Sequence, residues 1–117
     1  MRGRLARTGL ACAAATLVGL APIAVAAPEG SDAQFAEGRA LFVGGATPPC
    51  AICHTLKEAG ATGSVGPVLD DVRPDAERVA AAVRGGIGAM PSFAGALTDE
   101  QIRALARYVA KATGGAR

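Results

Sequence analysis

Two thiols and an imidazole stand within five residues of one another in Cys50-Ala51-Ile52-Cys53-His54. Thiols three apart on a tight helical turn can each add to one vinyl group of a single porphyrin. The next residue then lies under the ring and can present its Nε2 to an iron, so the spacing reads as the attachment signature of c-type haem. Other readings of the pair fit less well. A structural zinc site needs four ligands, and no second Cys or His pair exists to complete them. A thioredoxin-type redox pair expects a strand before it, and no strand pattern precedes Cys50. A plain disulfide across two residues is strained and leaves His54, the one His of the chain, unexplained. For the other side of the iron the choice is narrow, since Met90 is the only Met besides the initiator. It follows Gly85, Gly86 and Gly88 and precedes Pro91. A Met that fills a core gap sits in a periodic stripe, whereas this loop setting points to a distal axial ligand.

These residues need elements to hold them. Ser31-x-x-Gln34 reads as a capping box for a helix over about 32–43 that stops at Gly44-Gly45. Phe35, Gly38, Leu41 and Phe42 share one side of it. From Glu58 to Val72 the chain is rich in Gly and reads as loop, with Gly66-Pro67 in its middle. Pro74 can start a second helix reaching about Arg84, with Asp75 and Glu77 near its positive end. Thr98-x-x-Gln101 is a capping box for a last helix ending at Gly114. Ile102, Leu105, Ala106 and Val109 form its buried stripe, and Arg103, Arg107 and Lys111 its wet face. No segment has a convincing strand period. The expected fold class is all-α, three main helices with long loops wrapped around one covalently attached haem. Loops this long are evidence against a self-sufficient core, so a cofactor is expected to fill the interior.

The 117 residues are enough for one small domain. Arg2, Arg4 and Arg7 followed by the apolar run Leu10 to Ala21 and by Ala24-Val25-Ala26 have the three parts of a secretory signal. The expected organisation is a cleavable signal peptide over 1–26 and one haem-binding domain over 27–117, exported by a Sec-type route to the periplasm. The alternative is an uncleaved anchor, because the 21 residues between Arg7 and Glu29 carry no charge and could just cross a bilayer. A membrane role is expected only in that case. Of the twelve Lys and Arg, three lie in the leader, leaving nine against ten Asp and Glu. That balance excludes nucleic-acid binding by bulk charge.

Taken together, residues from about 32 to 113 resemble the small class I monohaem cytochromes c. Gly38-x-x-x-Phe42 and Leu105-x-x-Tyr108 look like that family's crossing helices, Cys50 to His54 follow the first helix, and Met90-Pro91 lie before the last. The resemblance implies that Cys50 and Cys53 anchor haem c through thioethers and that His54 and Met90 ligate its iron. It also implies that the Pro67 carbonyl accepts a hydrogen bond from His54 Nδ1. A narrower resemblance, carried by Cys50 to Leu56 and Val65-Gly66-Pro67, is to the small cytochromes that accept electrons from sulfite dehydrogenases.

A haem ligated by His and Met has no open position for a substrate, and the soft thioether favours Fe(II). The expected function is one-electron shuttling between a dehydrogenase and an oxidase or another cytochrome, not catalysis. The electron is expected to leave at the haem edge near Cys53, flanked by Pro48, Pro49, Ile52, Ala89 and Phe93. The alternatives are a cytochrome subunit of a larger dehydrogenase and a five-coordinate haem enzyme or sensor with Met90 as a bystander.

Overall fold

The computed structural model describes residues 30–115 together with Ile23, Val25 and Pro28. The leader expected over 1–26 otherwise lies outside the described residues. Helix α1 spans Asp32–Ala40, α2 Leu69–Val72, α3 Ala76–Gly85 and α4 Asp99–Thr113. Among the described residues no helix is long and apolar enough to cross a membrane.

The caps explain where these helices begin. Thr98 and Gln101 form the full reciprocal box, Gln101 N–H donating to Thr98 Oγ1 at 3.2 Å and Thr98 N–H to Gln101 Oε1 at 2.9 Å. At α1 only half of the expected box forms. Gln34 N–H donates to Ser31 Oγ, but Gln34 Oε1 accepts from Gly30 N–H at 2.6 Å instead of from Ser31. Ser31 N–H already has a partner, the Pro28 carbonyl at 3.1 Å. The second helix starts two residues later than Pro74, because Asp75 takes the cap and its carboxylate accepts from Arg78 N–H.

The first helix also ends differently. It leaves α geometry at Ala40, and Leu41–Gly45 form a π-helical turn that closes with Ala46 N–H donating to Leu41 O. Wider winding there keeps Leu41 and Phe42 buried while moving the chain toward Cys50. The stretch read as one loop holds more order than its glycines suggest. Thr55–Leu56 (β1) pairs antiparallel with Ala61–Thr62 (β2), and α2 adds a single turn after it. Two residues per strand are too few for a period to show in the sequence.

α1 and α4 cross face to face. A Cβ on Gly38 would lie 2.5 Å from Tyr108 Cβ and also strike the Ala104 carbonyl, so only glycine permits this approach. Around that point Phe35 meets Tyr108 edge-on at 5.0 Å between ring centroids, and Phe42 lies at 5.9 Å. Tyr108 is wholly buried, with its hydroxyl donating to Glu58, whose other oxygen accepts from Arg39 Nε at 3.2 Å. α3 packs on the other flank of α4, burying Val79 and Val83. Arg107 departs from the expected wet face, because it is half-buried and donates to Gln34 across the crossing at 2.9 Å.

Candidate haem site

The Cys50-to-His54 segment is wound as a tight turn opened by Pro49. Cys50–Ile52 form one 3₁₀ turn, and Cys53 N–H and His54 N–H both donate to the Cys50 carbonyl, at 3.1 and 2.9 Å. Both thiols are free and half-buried. Burial pushes the Cys50 thiol up to about 11, with the neighbouring Cys53 adding to the rise against a backbone hydrogen bond that lowers it. A thiol held in its neutral form is the reverse of the acidic cysteine that dithiol redox enzymes use. Nor do three or more His, Cys, Asp or Glu side chains gather among the described residues as a metal cluster would require.

The loop after the turn fits around it. His54 Nδ1–H donates to the Pro67 carbonyl at 2.9 Å, which assigns the proton to Nδ1 and leaves Nε2 as the bare nitrogen. Gly66 N–H donates to Cys53 O at 2.7 Å, and a Cβ on Gly66 would sit 2.5 Å from His54 Cε1. Gly63, which the sequence did not single out, has a tighter role. Its Cβ would lie 2.6–2.7 Å from the Cys53–His54 peptide, and its carbonyl accepts from Thr55 Oγ1 at 2.9 Å. Such a requirement comes from backbone meeting backbone and leaves no side-chain signal to read.

Met90 sits at the end of a two-residue hairpin. Ile87 N–H donates to Met90 O at 3.1 Å and Met90 N–H to Ile87 O at 2.9 Å, with Gly88 at φ +57 supplying the reversal. Gly86, at φ +70, lies under the returning chain, where a Cβ would come within 2.7 Å of Met90 O. Gly86 and Gly88 therefore serve the chain's own return. Phe93 lines the cleft with Pro48, Pro49 and Ala89, buried and with its N–H donating to Val83 O at 2.8 Å.

Cys50, Cys53, His54, Pro67 and Met90 all line one cleft of about 330 Å³. Its remaining wall is nearly all apolar, with Phe42, Leu69, Val79, Val83 and Leu105 among the lining residues. Two thiols, an imidazole with a bare Nε2 and a thioether around an apolar slot are a donor set that fits an iron porphyrin.

Residues 33–109 match the family described as cytochrome c oxidase, cbb3-type, subunit III. The chain is also 37% identical to cytochrome c6 of Thermosynechococcus vestitus over 85% of its length and 83% of that protein. It is a c-type cytochrome. Among solved structures, it is similar to the c-type cytochrome SorU from Sinorhizobium meliloti, with a TM-score of 0.69 and 49% identity over 74% of this chain and 99% of that one. This cytochrome therefore carries one covalently bound haem c with its iron and is an electron carrier, not an enzyme. The all-α cytochrome c fold expected from the sequence is the fold found.

Proposed function

We propose that this cytochrome is a periplasmic shuttle with a His/Met-ligated haem, which takes electrons from a dehydrogenase, of the sulfite dehydrogenase class, and passes them to an oxidase or another cytochrome. The observation that carries the site is the convergence of Cys50, Cys53, His54 and Met90 on one apolar cleft, with His54 Nδ1 already committed to the Pro67 carbonyl. The haem supplies the one-electron chemistry when bound. Cys50 and Cys53 tether it, each S–H adding across a vinyl double bond to give a thioether. His54 offers Nε2 to the iron and Pro67 fixes its tautomer and aim. Met90 offers a weak, soft donor that favours the ferrous state and closes the sixth position against exogenous ligands.

Export fits the leader: a Sec-type cut before Ala27 would release residues 27–117 into the periplasm. For docking, the exposed Ile52, Pro48 and Ala89 make a small apolar rim beside Cys53. Such a rim suits brief encounters, because transient redox interfaces are small. The sulfite dehydrogenase assignment rests on the likeness to SorU together with the Cys50-to-Leu56 and Val65-Gly66-Pro67 segments.

Two measurements test the reading. The oxidised protein should show the weak far-red charge-transfer band of Met-ligated ferric haem, and a five-coordinate spectrum would overturn the ligand set. In stopped flow, a sulfite dehydrogenase given sulfite should reduce the cytochrome within its own turnover time. Failure there, with the spectrum intact, would remove the donor and leave the carrier.

A further inference from the structure

Arg78 is the one Lys, Arg, Asp or Glu among the residues lining the cleft. It is also singular among the six arginines of residues 30–115. Arg39 donates to Glu58, Arg73 to the Asp70 carbonyl, Arg84 to Asp99, Arg103 to Glu100 and Arg107 to Gln34. At Arg78 only the backbone N–H is engaged, with Asp75, and the guanidinium has no partner among the described residues. Arg78 is exposed at the edge of the cleft, where an anionic group of a bound ligand can reach its guanidinium.

Haem supplies one. Its two propionate carboxylates lie on the porphyrin edge across from the vinyl groups. With the vinyl edge tethered at Cys50 and Cys53, the carboxylates would point away from the cysteine turn. The cysteine turn packs on the π-helical turn and on β2, whereas Arg78 is carried on α3, which packs on α4. We infer that Arg78 pairs with a haem propionate, an assignment that rests on the haem reading of this cleft. A planar guanidinium suits a carboxylate, because two parallel N–H donors can reach both oxygens. Arg78 would then offset a negative charge held near the iron, and that favours the ferrous state.

The test uses haem-loaded full-length protein with Arg78→Gln, Arg78→Lys and, as a control, Lys57→Gln. Lys57 is exposed and lies outside the cleft lining. Haem loading is read from the Soret band: a parent without haem would sink the cofactor reading and the pairing with it, whereas a loaded protein tests the pairing alone. Arg78→Gln should shift the propionate bending band in the resonance Raman spectrum. At a fixed ambient potential it should also raise the ferric-to-ferrous ratio several-fold. Arg78→Lys should restore the ratio, because the charge returns, while only part of the Raman signature recovers. Lys57→Gln should change neither. A loaded Arg78→Gln with an unmoved Raman band overturns the pairing even if the potential falls, since that pattern marks a charge acting through space.

Discussion

The α1–α4 crossing and the wall of the cleft are built on different terms. At the crossing Ala104 and Tyr108, which meet Gly38, are wholly buried, and the Tyr108 hydroxyl donates to a carboxylate. Along the cleft, Val65 is 74% exposed and Ile87 68% exposed, although both line its wall. Beside Val83, Leu105 and Val109, which are buried, the exposed part of the wall is held by backbone: the His54–Pro67 and Gly66–Cys53 bonds, the Ile87–Met90 hairpin, and glycines where a Cβ would collide. Protein alone completes the crossing, whereas the cleft wall, on the proposed reading, is shaped by protein and would be completed by haem. Stability and redox chemistry should therefore respond to different substitutions.

The largest effect should come from removing the tethers. Cys50→Ala with Cys53→Ala should leave no covalent haem after acid-acetone extraction and no cooperative melt, because the crossing cannot fill the interior alone. A helical apoprotein melting cooperatively would erase the contrast between the two regions. Met90→Ala should act on the cleft only. We expect a reduction potential lower by on the order of a hundred millivolts or more, with ready binding of carbon monoxide. Redox titration and a carbon monoxide difference spectrum check it, and an unchanged potential would remove Met90 from the iron. Gly38→Ala should do the converse. The new methyl meets backbone and a Cβ that cannot swing aside, so a denaturant melt should show a loss of about 3 kcal/mol, the upper end for overpacking. The potential should stay with the parent. Smallest is Pro67→Ala, which keeps the carbonyl but loosens its aim. A Soret-monitored melt should lose roughly 1–2 kcal/mol. The accompanying change in potential should be well below that of Met90→Ala.

How much of this was legible beforehand differs between the same two regions. Helix caps were readable because side-chain type and spacing encode them, whereas the Gly38/Tyr108 crossing was implied only by the resemblance to the class I cytochromes c. Ser31-x-x-Gln34 misled by one bond, since a competing acceptor at Pro28 already held Ser31 N–H. The π-helical turn at Leu41–Gly45 has no such code, and it arises from keeping Phe42 buried while redirecting the chain. In the cleft, Cys50, Cys53, His54 and Met90 stood out through rare residue types at telling spacings. Gly63 and Gly86 did not, because a glycine demanded by a backbone collision looks like any loop glycine. The burial of Phe93 was not legible for a related reason: it follows from a hydrogen bond to Val83, and no local pattern records a contact made through the main chain.

The Tyr108 hydroxyl carries a consequence at the alkaline end of the pH scale. Burial, then the hydrogen bond to Glu58, pushes its ionisation well above the ordinary value. Below about pH 10 the phenol is protonated in folded and unfolded chains alike, and its contribution is fully present. Above that, the unfolded chain gives up the proton while the folded chain retains it, so each further rise in pH favours unfolding. Denaturant midpoints measured between about pH 9 and 11 should fall more steeply for the parent than for Tyr108→Phe, which has no proton to lose. The phenol that closes the helix crossing is also its weak point in base.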